Sequence, residues 1–125
     1  MLSEKQIIAN IPTVDLSRAV DFYTNKLGLK PERASDMDAG FSAGMGSMLD
    51  LYQKGQANTE STSVSFIVDD LEAEMDALKE EGIKFEEYDL PDMGIKTVDG
   101  VSDSNGTKMA WFKDSEGNIL ALIQM

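Results

Sequence analysis

Residues 8–16 read IANIPTVDL and residues 63–71 read SVSFIVDDL, and these two stretches open two similar halves of the chain. In each half an apolar run ends at an Asp-Leu pair, a helical pattern follows, and a glycine closes it, Gly28 in the first copy and Gly82 in the second. Glycine readily adopts the left-handed conformation that terminates many helices. Each half is therefore predicted to read strand, capped helix, glycine stop, strand.

The two predicted helices each begin at an acidic residue and carry one apolar face. The first covers residues 17–27, with Asp15 as its N-terminal cap. The second covers residues 72–81, where Asp69 and Glu72 have the spacing of a capping box. Helical spacing places these apolar residues on the inner faces: Leu16, Ala19, Val20, Tyr23 and Leu27, then Leu71, Met75 and Leu78.

Short strands are predicted after each helix, so that the order βαβββ occurs twice. They cover residues 29–33, 39–43, 48–53, 83–88, 108–113 and 118–124. Because each half contains only one helix, this order indicates an α+β fold and not a doubly wound parallel sheet. We expect a single domain over residues 1–125, with module 1 at about 5–54 and module 2 at about 61–125.

Two further segments connect these strands. Residues 114–118 are predicted to form a turn between the last two strands. Residues 89–107 form a long irregular segment, which is typical of a lid or a binding loop but also of disorder.

Strand alternation gives the predicted sheets one aliphatic face and one mixed face. The aliphatic face suits packing against the helices. The mixed face carries Ile8, Asn10, Met48, Asp50, Tyr52, Ser63, Ser65 and Ala121. Trp111 and Phe112 lie on opposite faces of their strand, and the sequence leaves open which of them joins the mixed face. Such a face is typical of a small-molecule cleft, and equally of a half-exposed sheet or a surface buried in a homodimer.

Composition excludes several kinds of chemistry. The chain has no histidine and no cysteine, which removes disulfides, thiolate nucleophiles and the Ser-His-Asp and Cys-His catalytic arrangements. Its formal net charge of −12 argues against binding nucleic acid or an anionic membrane surface. The sequence shows no secretory signal and no long apolar run, so we expect a cytoplasmic protein.

Three stretches resemble the vicinal oxygen chelate superfamily, which includes glyoxalase I, the bleomycin-resistance proteins and the extradiol dioxygenases. They are PTVDLSRAVDFY with LGL at residues 12–23 and 27–29, FIVDDL at 66–71, and WFKDSEGNI at 111–119. The resemblance covers nearly the whole chain. It implies two βαβββ modules whose strands form a curved, cup-shaped mixed sheet with helices on the outer face. It further implies a homodimer and a ligand inside the cup.

The same resemblance implies where a metal would be bound in metal-dependent members. Those positions fall at or near Ile8, Asp50, Ser63 and Ala121, and only Asp50 among them is a strong metal ligand. The chain therefore resembles a member without the metal ligands, and we expect no metal and no other cofactor. One alternative stays open, in which Asn10 and Asp50 hold a magnesium ion through water molecules.

Three functions follow from this comparison. The first is metal-independent binding of a small organic molecule in the cup, for sequestration or resistance. The second is a glyoxalase-like or related lyase or isomerase reaction without the usual metal, with Asp50 as catalytic base. The third is a non-catalytic dimeric interaction module. The predicted ligand-binding residues are Ile8, Asn10, Met48, Asp50, Tyr52, Ser63, Ser65, Trp111 and Ala121.

Overall fold

The computed structural model describes all 125 residues and divides them into two compact units. The first unit contains Met1–Asn58 and Asp114–Asn118, and the second contains Thr59–Lys113 and Ile119–Met125. Each unit contains one four-stranded sheet with parallel and antiparallel pairs, together with one α-helix. The α+β fold class predicted from the sequence is confirmed.

The sheet of the first unit has the strand order β1-β4-β3-β2, in which β1 and β4 are parallel and the other pairs are antiparallel. Helix α1 packs on β3 and β4. The elements are β1 Ile8–Thr13, α1 Leu16–Asp21, β2 Lys30–Ala34, β3 Asp38–Ser42 and β4 Met48–Gln53. Short 3₁₀ turns occupy Leu2–Glu4 and Gly44–Gly46.

Helix α1 begins where the sequence predicts and ends differently. The Asp15 carboxylate accepts a hydrogen bond from the Arg18 amide at 3.1 Å, so the predicted cap is present. After Asp21 the chain widens into a π-helical turn over Phe22–Lys26, and Gly28 then leaves the helix with a φ of 73°. A left-handed φ of this kind is easily adopted by glycine and strained for other residues.

The sheet of the second unit has the corresponding order β5-β10-β9-β8, with β5 and β10 parallel. Helix α2 packs on β9 and β10. The elements are β5 Thr62–Ile67, α2 Leu71–Glu80, β6 Asp89–Leu90, β7 Ile95–Lys96, β8 Ser102–Ser104, β9 Thr107–Lys113 and β10 Ile119–Gln124. A further 3₁₀ turn covers Pro91–Met93.

Two sequence predictions for this unit are wrong in detail. Residues 83–88 do not form a strand: they make one isolated bridge, Phe85 to Phe112, and the sheet edge is completed by β8, inside the segment predicted to be irregular. The chain leaves the sheet edge because Tyr88 bonds through its backbone to Thr97 and opens the β6–β7 hairpin instead. The second helix is capped by Asp70, whose carboxylate accepts the Ala73 amide at 3.2 Å, and not by Asp69.

The cores of both units lie between the helix and the aliphatic sheet face. In the first unit the largest fully buried side chains include Tyr23, Phe41 and Leu51. In the second they include Phe112 and Leu120, which pair directly across β9 and β10. None of the helices combines the length and apolarity needed to span a membrane.

The turn Asp114–Asn118 belongs to the first unit, although the sequence assigns it to the second module. The Tyr23 hydroxyl donates to the buried Asp114 carboxylate at 2.6 Å, and the Asn118 amide donates to the same carboxylate at 2.9 Å and to the Pro12 carbonyl at 2.8 Å. Burial and the Asp114 charge raise the pKa of Tyr23 well above its usual range, so the phenol stays a donor. These bonds satisfy polar groups that would otherwise be buried unpaired.

Candidate functional site

A row of polar residues crosses the mixed face of the first sheet. The strand register places Asn10 on β1 opposite Asp50 on β4, Asp50 opposite Gly40 on β3, and Gly40 opposite Arg33 on β2. Residues paired directly across a sheet point to the same face. The sequence predicted Asn10 and Asp50 for this face, and the structure places them side by side.

Arg33 reaches Asp50 because Gly40 lies between them. The Arg33 Nη2 donates to Asp50 Oδ1 at 2.8 Å, and a methyl group on Gly40 would overlap the guanidinium. The pairing shifts register between Pro31 and Arg33, so Glu32 is the extra residue. A one-residue shift of this kind moves a side chain to the other face of the sheet. The glycine and the shift together bring the cation across the strand to the carboxylate.

Two carboxylates share this guanidinium. Asp38 Oδ2 lies 3.8 Å from Arg33 Nη2, and its Oδ1 accepts the Ser35 hydroxyl at 2.6 Å. Burial raises the pKa of Asp50, the hydrogen bond and charge of Asp38 raise it further, and Arg33 opposes them. The pKa of Asp38 is lowered, first by Ser35 and then by Asp50. Asp50 is therefore the carboxylate of the pair that more readily holds a proton.

Apolar and aromatic side chains flank the polar row. Ile8 and Met48 pair on one side of it, and Pro12 and Tyr52 pair on the other. Asp50 is only 8% exposed, whereas Ile8 is 40% exposed and Met48 and Tyr52 are half-buried. This face therefore combines one buried carboxylate with accessible apolar contacts, the mixture found in small-molecule sites.

The second sheet has a mixed face of a different kind. Trp111 pairs with Ala121, and Ala121 pairs with Ser65, so these three share one face, while Phe112 lies on the opposite face with Leu120. The structure thus assigns Trp111, and not Phe112, to the mixed face. Ser63 is the extra residue where the β5–β10 pairing shifts register, so simple alternation does not place it beside Ser65.

Two features of these faces were missed from the sequence. Arg33 was missed because the register shift at Glu32 interrupts the alternation on which the face assignment depended. Tyr88 packs edge-on against Trp111, with ring centroids 5.5 Å apart and an interplanar angle of 72°. Tyr88 was missed because it lies far from Trp111 along the chain, so no local sequence pattern connects the two residues.

Few metal-binding side chains occupy the four positions at which the family resemblance implies a metal. Ile8 and Ala121 have no donor atoms on their side chains, and the Asp50 carboxylate is already bound by a guanidinium. No group of three or more acidic side chains is arranged to hold a metal ion. A catalytic divalent metal normally needs about three protein ligands.

Comparisons with known proteins agree with this fold. Similar solved structures include TnmS3, an antibiotic binding protein from Streptomyces sp. CB03234, at 20% identity over 99% of this chain and 98% of that one, with a TM-score of 0.70. Another is a lactoylglutathione lyase from Agrobacterium tumefaciens, at 18% identity over 97% and 93%, with a TM-score of 0.71. A third is a glyoxalase/bleomycin resistance protein from Catenulispora acidiphila DSM 44928, at 20% identity over 96% and 97%, with a TM-score of 0.68.

A search of curated proteins gave no significant match. The family model of the Glyoxalase/Bleomycin resistance protein/Dioxygenase superfamily matches residues 6–122, nearly the full length of the chain. The two units have corresponding strand orders, as the repeated sequence pattern predicts. The chain belongs to the Glyoxalase/Bleomycin resistance protein/Dioxygenase superfamily.

Proposed function

We propose that this protein binds a small organic molecule on the mixed faces of its sheets and serves in sequestration or resistance. The observation that carries the proposal is the Asp50–Arg33 pair, held across Gly40 on a face that also presents Ile8 and Tyr52. The Arg33 side chain is half exposed, and an ion pair with an exposed partner adds little net stability. Its position beside accessible apolar side chains therefore favours a role in recognition.

The proposed contacts divide by chemistry. On the first sheet, Ile8, Met48 and Tyr52 supply apolar and aromatic surface, and Asn10 and Asp50 supply an amide and a carboxylate. A flexible thioether such as that of Met48 adapts to ligands of different shape. On the second sheet the proposed ligand-binding residues are Ser63, Ser65, Trp111 and Ala121. TnmS3, which is described as an antibiotic binding protein, supports a binding role in a similar fold.

Binding is proposed to need no metal. The resemblance implies strong metal ligands at or near Ile8, Ser63 and Ala121, and the sequence contains no histidine that a register shift could supply. We further propose a cytoplasmic homodimer, as the family resemblance implies. Sedimentation equilibrium would show twice the 13.7 kDa chain mass for a dimer, and a single-chain mass would reject that part of the proposal.

A melting-temperature screen tests the binding proposal. We expect some member of a library of small organic compounds to raise the melting temperature by several degrees, because a ligand that binds only the folded state stabilises it. Asp50→Asn should reduce that rise. Asp36→Asn, which removes the same charge from an exposed residue, should leave it intact. Equal rises in both variants would remove Asp50 from the site.

A second candidate function is a reaction that uses Asp50 as a base. It is supported by the raised pKa of this carboxyl, which burial and Asp38 produce. Turnover should then survive a chelator and disappear in Asp50→Asn. Full activity in that variant would reject Asp50 as the base.

A further inference from the structure

The segment from Tyr88 to Thr97 forms a small hairpin in the second unit. The Thr97 amide donates to the Tyr88 carbonyl at 2.8 Å, and the Thr97 hydroxyl accepts the Tyr88 amide at 2.7 Å. Beyond this pair the hairpin contains only two-residue strands, Asp89–Leu90 and Ile95–Lys96. Its tip is solvent-exposed, with Met93 69% exposed. A segment with so little buried surface is weakly held against local opening.

The hairpin positions an aromatic ring over the single tryptophan of the chain. Tyr88, at its first residue, packs edge-on against Trp111, and Trp111 is only 5% exposed. Ser65 belongs to the same cross-strand row as Trp111 and is exposed. Tyr88 therefore covers the indole of Trp111, while Ser65 on the same sheet face is open to solvent.

The residues that flank the hairpin are joined by a side-chain hydrogen bond. Glu87, just before the hairpin, accepts the Gly100 amide at 2.7 Å through Oε1. Asp99 and Gly100, just after it, both have left-handed backbone, with φ of 51° and 82°. This turn reverses the chain directly after the hairpin, and it is closed by two backbone hydrogen bonds between Val98 and Val101.

We propose that the hairpin of residues 88–97 is a flap whose opening, limited by the Glu87–Gly100 bond, lifts Tyr88 from Trp111. Opening uncovers the indole face for an apolar part of a ligand, which makes Tyr88 a further ligand-contacting residue. The identity of what enters rests on the proposed function. The opening itself does not, and it can be measured without any ligand.

Acrylamide quenching of tryptophan fluorescence tests the flap directly, because Trp111 is the only tryptophan in the chain. Glu87→Ala removes the Glu87–Gly100 bond beside the hairpin but keeps Tyr88, and Tyr88→Ala removes the covering ring. We expect both variants to be quenched about two- to fivefold more strongly than the wild type. Asp92→Ala, an equal loss of charge at the exposed tip of the same hairpin, should match the wild type.

The outcomes separate three situations. Stronger quenching in both variants supports the flap. Stronger quenching in Tyr88→Ala alone means that the ring covers Trp111 without moving, which overturns the proposal, as does wild-type quenching in both. If Glu87→Ala does not fold, amide hydrogen exchange of the wild-type protein tests the proposal instead. The Gly100 amide should exchange much faster than the Ala110 amide inside β9. Equal protection of the two amides would overturn the flap. Failure of the ligand screen would leave these results unchanged.

Discussion

The Glu116 side chain has no exposed surface and accepts hydrogen bonds from residues 14–18 of the first unit. Its Oε1 accepts the amides of Val14 and Asp15 at 2.9 and 2.7 Å, and its Oε2 accepts Arg18 Nε at 2.8 Å. Burial alone would raise the pKa of Glu116, but Arg18, the Asp15 amide and Ser115 outweigh it and lower the pKa to about 2. This carboxylate stabilises the start of α1 only while it is ionised.

The pH dependence of stability should therefore reveal Glu116. Because its folded pKa lies below the ordinary value of 4.5, its contribution is complete above about pH 4.5 and is lost as the pH falls toward 2. We expect Glu116→Gln to lose about 1–2 kcal/mol of unfolding free energy at pH 7, a value reduced because Arg18 is half exposed. The difference from wild type should shrink by pH 3 in urea titrations. Glu4→Gln, at an exposed site, serves as control, and a pH-independent difference would contradict this account.

Gly40 tests the polar row of the first sheet. In Gly40→Ala the added methyl displaces the guanidinium of Arg33, which removes the interaction that lowers the pKa of Asp50. We therefore expect the Asp50 carboxyl to titrate at a higher pH than in the wild type, measured from its carbon-13 shift. Gly44→Ala adds the same methyl where no atom lies within 4 Å and should leave the titration unchanged. An unchanged Asp50 titration in Gly40→Ala would show that Arg33 does not act across this strand.

At the scale of single elements, the start of helix α2 is preceded by two adjacent aspartates, and only one of them caps the helix. The side chain of Asp70 accepts the Ala73 amide, and that of Asp69 has no part in this cap. The duplication itself pointed to Asp70, because Asp70-Leu71 aligns with the Asp15-Leu16 pair that begins α1. The capping-box spacing from Asp69 to Glu72 was the weaker signal.

Substitution of each aspartate distinguishes the two. Asp70→Ala should lower the free energy of unfolding by about 1 kcal/mol, because the first turn of α2 loses an acceptor for its free amides. Asp69→Ala, an identical change one residue earlier at an exposed site, should stay within about 0.5 kcal/mol of wild type. Urea midpoints measure both, and equal losses would contradict the assignment of the cap.

Elements that depend on distant partners were predicted less well. β4 runs from Met48 to Gln53 as the alternation predicts, since its polar and apolar residues alternate without interruption. Residues 83–88 have strand-like composition, yet they contact β9 only through the Phe85–Phe112 bridge and the bond from the Glu86 amide to the Trp111 carbonyl. Tyr88 then pairs with Thr97 instead, and β8 pairs with the other end of β9. Whether a segment joins a sheet depends on which competing partner is available, and alternation within the segment carries no information on that.

For the whole molecule, the candidate site was predicted in part. Alternation correctly gathered Ile8, Asn10, Met48, Asp50 and Tyr52 onto one face of the first sheet. It missed Arg33, because the extra residue at Glu32 reverses the faces beyond it. It also left Trp111 and Phe112 undecided, since both faces of β9 carry a large aromatic residue, and only the pairing of Trp111 with Ala121 decides between them.

The amino-acid sequence by itself determined the duplicated α+β fold, the family and the lack of imidazole and thiol chemistry. The fold and the missing chemistry follow from composition and from patterns among residues a few positions apart, whose energies act along a single helix or strand. The family follows from the resemblance of three motifs. Only the tertiary structure decided that Arg33 reaches Asp50 over Gly40 and that Tyr88 covers Trp111. Those contacts join separate elements through register shifts and loop paths, and their positions depend on how the strands pair in three dimensions.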